Sequence, residues 1–172
     1  MFEDHNSSIY DVVLGAKLLT KVQLDELDET RHSTGKSLAD AIVDSGLVEK
    51  TKLLEAIASY LNYDYEPIPP ANIPEEVYKQ LRPNLARTYG VVPCKADDTH
   101  ITLLCKDPFN NAIIDDLTFT LNKDVTLVVM DPDQVDHLIV QCYGEEDSSI
   151  DDILSEISEV DFGEGGESDA AN

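Results

Sequence analysis

Shifted by 29 residues, the first third of the chain falls on itself. Ile9 lands on Leu38, Val13 on Ile42, Leu18 and Leu19 on Leu47 and Val48, and Leu24 on Leu53. An internal repeat of this length constrains the fold more than any composition figure, because one helix-turn-helix unit cannot bury its own apolar face and two copies can bury each other's. Within residues 8–62 the apolar side chains recur at spacings of three and four, which is the period of amphipathic helices. Gly35 sits in a short link after a helix ending near His32, and Gly46 marks the stop of a helix over 37–45. The expectation is two helical hairpins.

The pattern changes in residues 63–73, YDYEPIPPANI, where three prolines and no periodicity predict an extended connector. A second unit begins at Pro74 with two glutamates in its first turn, where negative charge suits the helix dipole. PNLARTYG reads as a short helix closed by Gly90. VVPCKA and HITLLC read as a β-hairpin turning at Asp97-Asp98-Thr99, and DPFNNAIIDDLTFTLN as a turn and helix. DVTLVVM is a strand and DPDQVDHLIVQCYG a closing helix. The predicted fold class is α+β: a helical repeat over 1–66, then over 67–144 an α/β layer of order α-β-β-α-β-α with helices covering one sheet face.

Residues 145–172 hold 11 acidic side chains and no basic one, within a chain of formal net charge −23. That leaves 24 acidic and 12 basic side chains in residues 1–144. Such a balance argues against nucleic acid, whose phosphates require Lys and Arg, and against an anionic membrane surface. A basic protein surface is the better complement. The last segment, rich in Ser, Asp, Glu and Gly, is expected to be disordered. Inside it, Ile150, Ile153, Leu154 and Ile157 fall at helical spacing, so 150–160 is expected to form a short docking helix when a partner supplies the missing core. No apolar run is long enough to span a bilayer, and the N-terminus carries no signal-like apolar region, so a cytoplasmic protein is expected.

The chain lacks a phosphate-binding GxxxxGK[ST] loop, a GxSxG elbow, an HExxH pair and cysteines at zinc spacing. Cys94, Cys105 and Cys142 read as reduced, buried thiols. Four histidines stand apart from any second ligand, and the acidic pair Asp115-Asp116 points in directions about 100° apart on a helix, which suits a solvated face. Tyr60, Tyr63 and Tyr65 read as packing between the units, with ligand stacking as the alternative. Lys17, Arg31, Lys36, Lys50 and Lys52 read as a solvated face, with an anion site as the alternative. The expectation is a non-enzyme without cofactor or metal.

The run from LLTKVQLDELDE to LNYDYEPI, continued by LARTYGVVPCKADDTHITLLCKDPFNNAII, resembles the N-terminal domain of type II secretion and type IV pilus assembly ATPases, the general secretory pathway protein E family. The likeness covers roughly residues 10–144, and rests on an Arg-Tyr-Gly-like turn before a proline-bearing strand, a DP opening the following helix and a closing helix ending in Tyr-Gly. It implies a non-catalytic docking or regulatory module in protein transport, which docks with a protein partner, an inner-membrane platform protein or a motor ATPase, or receives a regulatory signal for the motor. The catalytic part of the family has no counterpart in this sequence, so motor activity is not carried over, and the chain is either free-standing or a fragment.

One branch of the family binds cyclic di-GMP through two copies of a motif with an Arg-Leu-Gly opening and a closing Gln, and motif plus spacer has the length of the repeat. The alternative reading is therefore a cyclic dinucleotide sensor. On this sequence the Arg positions fall on Ser8 and Ser37, the Gly positions on Tyr10 and Ala39, and the Gln positions on Arg31 and Tyr60. The apolar positions survive, among them Ile9, Leu24, Leu38 and Leu53. Loss of both arginines removes the planar forks that suit phosphates and guanine edges, which argues against that ligand.

Overall fold

The computed structural model describes residues 1–144. After a short 3-10 turn at Glu3–His5, four helices follow: α1 (Asn6–Gly15), α2 (Lys21–Thr34), α3 (Leu38–Asp44) and α4 (Lys50–Leu61). The 29-residue shift lays α1 on α3 and α2 on α4. Three of the apolar pairs it predicts are buried in both copies, since Ile9, Leu38, Val13, Ile42, Leu24 and Leu53 all have 0% exposure. Leu19 and Val48 are buried as well; Leu18 is half-buried and Leu47 exposed. These side chains form one core, so each copy supplies the apolar surface that the other lacks.

The helix ends follow local chemistry. Thr20 and Gln23 form a reciprocal capping box at the start of α2, the Gln23 amide donating to Thr20 Oγ1 at 3.2 Å and the Thr20 amide to Gln23 Oε1 at 3.0 Å. Ser37 caps α3 by accepting from the Asp40 amide at 3.1 Å. Gly35 closes α2 in the left-handed region at φ 73°.

The second unit contains α5 (Glu75–Tyr78), α6 (Pro83–Tyr89), β2 (Val91–Ala96), β3 (His100–Cys105), α7 (Ala112–Leu121), β4 (Asp124–Val129) and α8 (Pro132–Tyr143). Its element order is the expected one. Asp97 holds the hairpin turn, its Oδ1 accepting from the amides of Thr99 and His100 at 2.8 Å each. Two expectations need correction. The connector contains a strand, β1 (Asp64–Tyr65), which pairs in parallel with Val128 and Val129 and makes the sheet order β1-β4-β3-β2. A two-residue strand is too short to show a period. Helices also cover both faces of the sheet, whereas one face was expected. Ile101, Leu103, Cys105 and Leu127 meet Ile113 and Leu117 of α7 on one side. Val92 and Leu104 meet Val135, Leu138 and Ile139 of α8 on the other. Parallel pairing of β3 with β4 requires a crossover, and the near-continuous apolar run in β3 is what a strand buried on both faces requires.

Both sheet edges are blunted by proline. Pro93 lies in β2 beside a break in register with β3, and Pro67, Pro69 and Pro70 follow β1. The two units meet where Phe109 packs edge-on to Phe2 and stacks on His5, with ring centroids 5.6 and 5.0 Å apart. Beside that contact, Lys50 at the start of α4 reaches the N-terminal end of α8 and pairs with Asp131 at 2.8 Å and Asp133 at 2.9 Å.

Candidate interaction site

Most motif positions of the repeat lie at or near helix starts, while Arg31 and Tyr60 lie in the last turns of α2 and α4. Ile9, Leu24, Leu38 and Leu53 are core residues, and Ala39 has no exposure at all. Ser8 is half-buried on α1. Ser37 is buried, and its hydroxyl donates to Asp40 Oδ2 at 2.8 Å while capping α3. Tyr10 donates to Asp25 Oδ1 at 2.6 Å, and this bond, followed by the one from Lys21, holds the Asp25 carboxyl below its ordinary value. Arg31 donates through Nε to Asp28 Oδ1 at 2.6 Å. Tyr60 is 56% exposed. The polar members are thus spent largely on internal bonds. The tail positions Ile150, Ile153, Leu154 and Ile157 lie outside the described residues.

The tyrosine cluster separates. Tyr63 packs on the core beneath α7 and Tyr65 on the core of the helical unit, so these two straddle the junction while Tyr60 faces outward. The basic residues of the helical unit also divide. Arg31, Lys36 and Lys52 pair with Asp28, Asp44 and Glu55 on their own surfaces, and Lys50 crosses to α8. Burial alone would push the Lys50 amine down; Asp131 and Asp133 outweigh it, and the amine titrates above its ordinary value. Lys50 in turn holds the Asp133 carboxyl low.

Sequence reading named Lys17 and Lys50 but missed Lys21 and the correspondence of these positions across the repeat. Lys21 lies 29 residues before Lys50, and each is the first residue of its helix. The turns leading into them match too: Lys17 adopts φ 57° where the second copy places Gly46 at φ 74°. Extending the alignment from apolar to polar positions would have found both. At the first turn, Leu14, Lys17, Leu18 and Lys21 help line a shallow hollow of about 350 Å³.

The residues that carry the resemblance in the second unit have structural tasks. Arg87 donates to the carbonyl oxygens of Tyr143 and Gly144 at 3.3 and 3.0 Å, closing the end of α8. Tyr143 donates its hydroxyl to the Tyr78 carbonyl at 2.6 Å. Gly90, at φ 62°, lies under the stem of Lys106, and a Cβ there would come within 2.6 Å of it. Lys106 then pairs with Asp136 of α8 at 2.7 Å. No metal-holding group of three His, Cys, Asp or Glu side chains occurs among the described residues, and no helix among them is long and apolar enough to cross a membrane.

The MshEN domain model matches residues 61–149. The chain is 23% identical over 150 residues to the type IV pilus assembly ATPase PilB of Myxococcus xanthus, covering 87% of this chain and 26% of that protein. It is 30% identical over 128 residues to PilB of Thermus thermophilus, covering 67% of this chain and 14% of that protein. It therefore spans about a quarter or less of these relatives. A solved structure of MshE with cdg shares the fold at TM-score 0.67 and 18% identity, covering 78% of this chain and 98% of that one. The N-terminal domain of XpsE does so at TM-score 0.55 and 21% identity, covering 79% and 94%. With the domain model laid over just more than half of its residues, the chain belongs to the MshEN domain family and resembles the N-terminal domains of secretion and pilus assembly ATPases.

Proposed function

We propose that this chain is a non-catalytic docking module of a secretion or pilus machine, working in the cytoplasm and binding a protein partner, either an inner-membrane platform protein or a motor ATPase. The observation that carries this reading is the state of the repeat's motif positions. A ligand with two phosphates requires cations free to meet it, yet Arg31 is held by Asp28 and the arginine positions are Ser8 and Ser37. A protein partner requires only a rigid, exposed surface on packed helices, and α1–α4 supply one. In this reading the helical repeat over 1–66 and the α+β unit over 67–144 are the two folding units, and 145–172 is the acidic tail. Co-purification of the full chain with the cytosolic part of an inner-membrane platform protein from the same genome tests the reading. A stable one-to-one complex is expected, and failure to bind both that protein and the cognate motor overturns it.

The likeness to MshE, solved with cdg, favours a second reading in which the repeat senses a cyclic dinucleotide. Calorimetry with cyclic di-GMP separates the two. No saturable heat is expected, and a saturable isotherm that disappears in Arg31→Ala would establish the sensor.

A further inference from the structure

The repeat contains a comparison between one engaged and one open copy of the same turn. In the second copy, Lys50 grips the acidic first turn of α8, an ionic contact only, since the apolar residues that follow in α8 pack on the sheet and Leu47 of that turn stays 55% exposed. In the first copy, the equivalent Lys21 is 72% exposed, and its one ion pair among the described residues is with Asp25 on its own helix. Leu14 is 37% exposed beside it, Leu18 is half-buried, and Val22 at the next position is 67% exposed. The copies also differ at the residue in the left-handed position. Lys17 occupies the left-handed conformation that the second copy assigns to glycine, a choice that strains the backbone and adds a cation to the rim of the hollow.

We propose that this first-copy turn is a docking site for the chain's own acidic segment 150–160. That segment, IDDILSEISEV, repeats the chemistry of the α8 start: Asp151 and Asp152 lead, and Ile153, Leu154 and Ile157 follow at helical spacing. The carboxylates meet Lys17 and Lys21, displacing the exposed pair with Asp25, while the apolar side chains cover Leu14 and Leu18. Exposed ion pairs contribute little individually, so the contact is weak and falls with salt. This goes beyond the platform-docking reading, and neither depends on the other.

The test is reciprocal and uses the full chain. Amide resonances of the wild type are compared with D151N/D152N and with K17E/K21E at low and high salt. The tail variant is expected to shift Leu14, Lys17, Leu18 and Lys21, and the turn variant to shift residues 150–157. High salt is expected to move the wild type in the same directions. K52E/K79E makes the same charge change at exposed lysines elsewhere and is expected to leave the tail resonances in place. Groove resonances that ignore D151N/D152N, or tail resonances that respond equally to K52E/K79E, overturn the proposal. A folding defect in K17E/K21E does not block the test, since the tail variant reads the groove of an unaltered body.

Discussion

At single positions the backbone decides before the side chains do. Gly46 sits at φ 74° with nothing within 4 Å of where a Cβ would project, so Gly46→Ala meets strain without a clash. The expected loss is about 1 kcal/mol in denaturant unfolding, the usual cost of a side chain in that region. Lys17→Gly removes the same strain from the first copy and is expected to be neutral or stabilising, by up to about 1 kcal/mol. Cys105 shows burial acting on chemistry: with 0% exposure its thiol is pushed up to about 12. In folded protein at pH 8 it should resist iodoacetamide, whereas Cys94 and Cys142, only half-buried, should react slowly. Alkylation of Cys105 at the rate of the other two, read by mass spectrometry, would show that its strand opens.

Among the elements, the contact between the starts of α4 and α8 has a pH signature. Lys50→Met keeps the apolar stem and removes the charge, leaving Asp131 and Asp133 unanswered; a loss of roughly 1–3 kcal/mol is expected for a charged hydrogen-bonding group. Asp133 is held below its ordinary 3.8, so its share of stability is present above that value and lost as pH falls through the lowered one. Lys50 is held above 10.5, so its share is present below that value and lost as pH rises through the raised one. The gap between wild type and variant should be flat from about pH 5 to 9 and close at both extremes; thermal melts across pH would reveal a different shape. Elements as long as α2, α4 and α8 were legible in the sequence because three or more turns carry a repeated apolar signal. Strand β1 was not, since two residues carry no period and its partner lies more than sixty positions away. The candidate site was legible only in its apolar half. Lys21 and Lys50 are ordinary surface lysines until the repeat is applied to them, and the partners of Lys50 come from an element eighty residues on.

Across the described residues the buried side chains fall into three clusters. The helical unit buries its own cluster, the sheet buries two more, and β1, Phe109 and the Lys50 pairs tie them together. Coupling between such units depends on the contacts they share, and Phe109 supplies one of them, packed against both Phe2 and His5. Partial burial of Phe109 contributes on the order of 1–2 kcal/mol, which helps merge two transitions of similar stability into one. Calorimetric unfolding of the full chain is therefore expected to give a single transition whose calorimetric and van't Hoff enthalpies agree. In Phe109→Ala with Lys50→Met, the aromatic contact and the Lys50 pairs both go, while β1, Tyr63 and Tyr65 still cross the junction. The expected result is two resolved transitions, the helical unit being followed by the exchange protection of Leu24 and Leu53 and the sheet unit by that of Leu103 and Leu127. A single transition merely shifted to lower temperature would mean that residues 1–144 fold as one body and that the division near residue 66 has no thermodynamic standing.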